Sequence, residues 1–495
     1  MIAPMSDSAE VRDLRRQVRE WRRGRVDTSL VEAIGDAYVA IFSAIVLGSM
    51  AVSVVVNLRV VATGGCTSVS CLDARGALGW LFGLAALALV LGVSRLLGPM
   101  LTAPAVGTWL LTTPLDRTAL VRGRLVGPTL GAAAVGAVLG VTGSILSGYD
   151  AVVVGWFTVL AGAGSALLVS LATVAQARRH PAVRLLSWLL GAALWVGLVL
   201  VARDTVPSDL RAPAPGPLAV AAVVVAVATS VALVAAYRDL RLIGRDQLVS
   251  GGALLPGLSG ALSSLDLTLL YDILVARRWR ARSSVRVVRG RGSGGMALVH
   301  RELVRLRRNP QVLVGLAAAL VLPYLAVALG LGHVMVVVVT LTGFVAGVGL
   351  FTSLRVLSRT ASLLRCFPLP APTVKAACLS VPGAVLVVWS AATAPAVHDA
   401  VGGSWGRSIA VALACGVTVT AAAVRWMTSH PPDYRLPLIT SPMGAVPTSL
   451  YGSLLRGFDV LLLGTAPLLI SPTTNGATWS VGLSAVVLSF LVSRP

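Results

Sequence analysis

The chain has 495 residues, of which 56% are hydrophobic and only 12% charged. Soluble domains carry roughly twice that share of charge, so a soluble globular fold is excluded. Lys+Arg outnumber Asp+Glu by 41 to 20. That balance would suit nucleic acid, but the arginines sit where membrane topology puts them, which argues against a nucleic-acid partner.

Residues 1–36 hold Arg and acid in equal number and lack the apolar core and cleavage site of a secretory signal peptide. Within them Val11, Leu14, Val18 and Trp21 fall on one helical face, and Arg12, Arg15, Arg16, Arg19, Arg22 and Arg23 fill the rest. This is the composition of a helix lying in a membrane interface. Twelve apolar runs follow, near 37–57, 77–95, 125–146, 151–174, 183–202, 217–237, 311–330, 334–354, 377–397, 408–424, 457–471 and 478–493. A bilayer requires about 20 apolar residues per helix. The expectation is an all-α polytopic integral membrane protein of about twelve spans.

With the N-terminus placed in the cytoplasm, only Arg59, Arg75, Arg203, Arg211 and Arg407 lie outside. Both termini are then cytoplasmic. The first outer loop, 58–76, contains Cys66 and Cys71 with four residues between them, on the oxidising face, and a disulfide between them is expected. Cys366, Cys378 and Cys415 read as small buried apolar groups.

Six spans precede residue 238 and six follow 310, which predicts two repeats in the same orientation. The expected organisation is a cytoplasmic segment 1–36, a first repeat 37–237, an Arg-rich cytoplasmic linker 238–310 and a second repeat 311–495. Pro114 and Pro128 are spaced like Pro368 and Pro382 at matched places in the two repeats. A second amphipathic helix closes the linker: Val299, Leu303 and Leu306 form its stripe, Arg301, Arg305 and Arg308 flank it, and Asn309-Pro310 ends it.

Catalytic motifs are scarce. The only lysine, Lys375, lies outside any Gly-x-x-x-x-Gly-Lys-Ser/Thr pattern, so no such phosphate-binding loop exists and no enzyme activity is expected of the chain. Gly290–Gly295 satisfies Gly-x-Gly-x-x-Gly but lies in an Arg-rich linker without a clear βαβ unit, and reads as a hinge. Gly402-Gly-Ser404-Trp-Gly406 satisfies the nucleophile-elbow pattern, but in an outer loop, and reads as a turn. The five histidines show no metal-ligand spacing, and no cofactor is expected. Within the spans only Asp459 enters, one turn from Arg456, and reads as an interfacial pair rather than a proton relay. Gly136-x-x-x-Gly140 and Gly343-x-x-x-Gly347 predict close helix crossings.

Interfacial helix, Arg-Asn-Pro, span, outer turn, span and Pro-containing inner loop together resemble type-2 ABC exporter permeases. Arg301-Glu-Leu-Val-Arg-Leu-Arg-Arg-Asn-Pro310 and Leu111-Thr-Thr-Pro-Leu-Asp-Arg117 carry the likeness. The chain is also similar to an uncharacterised family of twelve-span actinobacterial membrane proteins, through Leu262-Ser-Ser-Leu-Asp-Leu267, Thr440-Ser-Pro-Met-Gly-Ala-Val-Pro447 and Arg456-Gly-Phe-Asp459. The permease resemblance implies an export channel in the bacterial plasma membrane, driven by a separate ATPase subunit. It implies ATPase contacts at Val11–Arg25 with the loop holding Pro114, Asp116, Arg117, Arg122 and Arg124, and at Val299–Arg308 with the loop from Pro368 to Lys375. The alternative is a non-transporting scaffold that anchors or assembles envelope proteins. An ion-coupled antiporter is disfavoured by the uncharged span interiors.

Overall fold

The computed structural model describes residues 69–102, 121–206, 213–252, 267–280, 289–429, 438–441, 444–447 and 455–493, with scattered positions between 13 and 57, at 106 and 109, and from 254 to 258. The chain divides into two compact units, Met1–Ser259 and Gly260–Pro495. Both are helical; the strands described are β1 (Leu438–Ser441) and β2 (Gly444–Pro447), an antiparallel hairpin with Leu438 opposite Pro447.

The helices of the first unit are α1 (Cys71–Leu97), α2 (Arg122–Ser147), α3 (Ala151–Ala177), α4 (Ala182–Ala202) and α5 (Pro215–Leu242). Each exceeds the roughly 20 residues that cross a 30 Å hydrocarbon core. Tight turns join α2 to α3 and α3 to α4. Gly148 ends α2 at φ 80, a left-handed conformation that costs a side-chain-bearing residue. The helix α3 is central, packing on α1, α2 and α5, while α4 packs on α1. Small residues let α2 meet α3: a Cβ on Gly136 would lie 2.3 Å from Ser165 Oγ, and one on Gly140 2.7 Å from the Ala161 Cβ. Leu185, Trp188, Val223, Val227 and Val231 face outward from α4 and α5, the surface that meets lipid.

The second unit begins with two helices that are not spans, α6 (Leu267–Arg280) and α7 (Gly294–Arg308). Then come α8 (Pro310–Ala328), α9 (Gly332–Arg359), α10 (Ala371–Ala391), the short α11 (Ala394–Val401), α12 (Trp405–Met427), α13 (Phe458–Ile470) and α14 (Thr474–Ser493). Here α12 is central, packing on α9, α10, α13 and α14. In both units one helix is central, α3 in the first and α12 in the second.

Among the described residues ten helices are long and apolar enough to cross a membrane, and the protein is an all-α polytopic membrane protein. The first expected span, 37–57, falls largely outside the described residues. The structure adjusts others. The run 377–397 is not one helix: it starts earlier, at Ala371, stops at Ala391, and the chain turns into α11. Pro395, in the first turn of α11, suits a new start there. The run 457–471 is a 13-residue helix, about 20 Å long at 1.5 Å per residue, and shorter than the hydrocarbon core.

Candidate functional site

At one end of the second unit three helices meet around the last turns of α9. A 3-10 turn, Val348–Phe351, interrupts α9 there, and a final helical stretch, Thr352–Arg359, follows. On one side lies α7. Its inward face carries Leu298, Glu302 and Leu306, spaced four apart, and packs on α10. Glu302 is fully buried. Arg305 Nε donates to Glu302 Oε2 at 2.8 Å, and Arg305 Nη2 donates to the Leu350 carbonyl oxygen. One guanidinium therefore neutralises a buried acid and ties α7 to the backbone of the 3-10 turn.

On the other side lies α6. Arg355, 3% exposed, donates from Nε and Nη2 to the two oxygens of Asp272 at 2.5 and 2.6 Å. This bidentate pairing fixes direction as well as distance. The Arg355 guanidinium also lies 5.9 Å from the Tyr271 ring centroid and 5.8 Å from that of Trp426, and those rings meet edge to face. Tyr271 Oη and Thr352 Oγ1 share a hydrogen bond at 2.9 Å, and Thr352 donates on to the Gly349 carbonyl. Burial pushes the Tyr271 hydroxyl pKa up, against the Thr352 hydrogen bond and the Arg355 charge, so the phenol stays neutral. Arg359 reaches Asp272 at 3.6 Å. Tyr271, Asp272, Thr352, Arg355, Ser358 and Arg359 line a cavity of about 550 Å³. The arrangement holds no nucleophile beside a base. What it can do is mechanical: two helices outside the spans grip the end of a span through charge-assisted bonds.

The residues singled out from sequence lie nearby or apart. Pro368 is exposed in the turn leading into α10, next to the short helix Ala361–Arg365. Lys375, the end of the loop that begins at Pro368, is buried in the first turns of α10. Arg122 and Arg124 form the 3-10 turn that opens α2, with Arg122 over the Tyr237 ring at 5.7 Å. Pro114, Asp116 and Arg117 lie outside the described residues, as does most of the Val11–Arg25 helix. Cys71 is disulfide-bonded, and Cys66 lies outside the described residues.

Two local expectations change. Leu303 does not join the buried stripe of α7; it is 57% exposed, and Glu302 takes the inward place because Arg305 compensates its charge. The ion pair described for Asp459 is with Arg425 on α12, at 3.4 Å, while its Oδ1 accepts from the Gly457 and Val460 N–H groups. Ser404, read from sequence as part of a turn, caps α12 by accepting from the Arg407 N–H, and His398 stacks on Trp405 at 4.3 Å. The Asp272–Arg355 pair escaped sequence reasoning altogether. Its partners are 83 positions apart, and Arg355 reads as one more cation at the end of an apolar run.

Residues 71–437 match a family of unknown function (DUF6297), and the chain belongs to that family. No curated protein matches the chain. The matched region runs from α1 through α12, so the Glu302–Arg305 and Asp272–Arg355 pairs both fall inside it.

Proposed function

We propose that the chain is the transmembrane permease subunit of an ABC-type exporter in the bacterial plasma membrane, driven by a separate ATPase subunit docked at the end that carries α6 and α7. One observation carries the reading: α7 is tied by Arg305 to the Leu350 carbonyl, inside the interruption of α9. A partner that moves α7 thereby moves a span at the point where its helical ladder is already broken. The bidentate Asp272–Arg355 pair gives α6 the same grip one turn further along. The exposed turn at Arg365–Pro368, beside the start of α7 and leading into α10, supplies a docking surface of the expected kind. In the first unit Arg122 and Arg124 open α2, and Pro114, Asp116 and Arg117 precede them in the sequence.

Export against a gradient needs free energy, and the chain has no phosphate-binding loop to supply it. Orientation follows from the cations: the α6–α7 end is the cytoplasmic one. Purification of the full chain under mild detergent, with any co-purifying ATPase identified, tests the reading. Replacing residues 365–370 and 112–124 with Gly-Ser should abolish ATPase binding while the chain still inserts. Undiminished binding of the ATPase, or recovery of envelope-assembly proteins in its place, would favour the scaffold reading instead.

A further inference from the structure

We infer that the first unit holds a bound anionic phospholipid in the wedge between the end of α3 and the start of α4. The wedge arises from how α4 is placed. A four-residue turn, residues 178–181, joins α3 to α4, yet α4 packs mainly on α1 rather than back on α3. The two helices are therefore held apart over two turns each, roughly 10 Å of helix. The resulting cavity is about 570 Å³, within the range of small-molecule sites. Its floor is Leu91, Leu168 and Ala172, and its lips, Leu171, Leu185 and Leu189, face lipid. A wall of this kind suits an acyl chain, and the wedge opens towards the bilayer that supplies one.

The other end of the same cavity is polar. Arg178 and His180 line it at the turn. Arg178 Nε donates to Asp239 at 2.8 Å, which orients the guanidinium and leaves its two Nη groups as donors. His180 Nδ1 accepts from the Ala182 N–H at 3.2 Å, which places the imidazole hydrogen on Nε2 as a third donor. Arg179 and Arg184 flank the turn in sequence, and no acid lies between residues 151 and 203. Donors and net positive charge stand together at the edge of an apolar wedge that begins where the spans end. A phosphodiester headgroup on an acyl chain satisfies both halves at once. A zwitterionic headgroup, which brings its own cation, satisfies them less well.

Native mass spectrometry of the full chain, released from nanodiscs of phosphatidylcholine and phosphatidylglycerol, reads the lipid retained. Phosphatidylglycerol should be retained in preference, and inorganic phosphate should not displace it. Arg178→Gln with His180→Gln should weaken retention about tenfold, at roughly fivefold for the arginine charge alone. Leu171→Trp, at a lipid-facing position, should fill the wedge and release the lipid without unfolding the chain. Asp239→Asn separates a lipid site from a structural ion pair: it breaks the same pair as Arg178→Gln but should keep or strengthen retention. Equal retention of both lipids, unchanged retention in both the Arg178/His180 variant and Leu171→Trp, displacement by inorganic phosphate, or loss of lipid in Asp239→Asn would overturn the inference.

Discussion

Each unit is built around one central helix, α3 or α12, but the two are held together differently. In the first, the central helix α3 meets α2 through Gly136, Gly140, Ala161 and Ser165, where backbones approach with almost no side chain between them. Its described apolar core is broken into several small clusters. In the second, the buried apolar residues described form one continuous core around α12. Hydroxyls cross-link it: Thr418 Oγ1 lies 3.0 Å from Ser480 Oγ and 3.1 Å from Ser484 Oγ, and Ser480 donates to the Gly464 carbonyl. The second unit also carries the buried Glu302–Arg305 and Asp272–Arg355 pairs at one end. In a bilayer no hydrophobic force drives helices together, so close packing and interhelical hydrogen bonds must do so. The first unit relies more on the first of these and the second more on the second. The second has, in addition, a charged grip on two helices that are not spans.

The largest difference is expected at that grip. Asp272→Asn takes the bidentate carboxylate from an almost fully buried Arg355, and should destabilise the second unit by about 3 kcal/mol. Thermal unfolding in mild detergent measures it, and adding Arg355→Gln to Asp272→Asn should recover part of the loss. A double variant no better than the single one would show that the pair is not a coupled unit.

A smaller effect is expected at the helix crossing of the first unit. Gly136→Ala forces a methyl group to within 2.3 Å of Ser165 Oγ and 2.4 Å of the Ala161 carbonyl oxygen, so α2 and α3 must separate, at about 1–3 kcal/mol. Gly127→Ala, on the same helix with nothing within 4 Å, should be neutral or slightly stabilising. Equal effects at the two glycines would mean that close approach does not hold this unit together.

Thr418→Val in the second unit should cost about 0.6 kcal/mol, an ordinary value for an interhelical hydrogen bond in a membrane. A loss as large as that at Gly136 would place the hydroxyl network above packing.

The smallest effect is one of pH in the first unit. Tyr149, in the turn between α2 and α3, donates to the Gly76 carbonyl, and burial pushes its hydroxyl pKa up to about 12. Because the folded value is raised, the contribution is fully present below the ordinary value of 10.0 and lost as pH rises through about 12. Unfolding midpoints measured from pH 9 to 12 should fall for the wild type and fall less for Tyr149→Phe.

The spans were largely legible in the chain, and the difference between the units was not. Apolar length places α3, expected at 151–174, and α4, expected at 183–202, within three residues of where they lie, because a bilayer requires length before anything else. Gly136 and Gly140 announced the close approach of α2 and α3, whereas Gly343 and Gly347 make room for the side chains of Trp389 and Leu386. What failed depends on partners far away in sequence. Leu303 belongs to the apolar stripe of α7 by hydropathy and lies outside it because Glu302, neutralised by Arg305, takes the buried place. Lys375 reads as the end of an inner loop and is buried in the first turns of α10. Arg355 resembles every other arginine at the end of a span until Asp272 and two aromatic rings are placed around it.

The central claim is that force reaches the spans through the α7–α9 tie, and a distance tests it most directly. Spin labels at Met296→Cys on α7 and Ile470→Cys at the far end of α13, both exposed positions, with Cys366→Ser to remove the exposed free thiol, report movement within the second unit. In the complex with its ATPase the account predicts an ATP-dependent change in this distance, and predicts that Arg305→Gln abolishes the change while leaving the ATPase bound. An unchanged distance on ATP addition in the wild type, or the same change in Arg305→Gln, would contradict it.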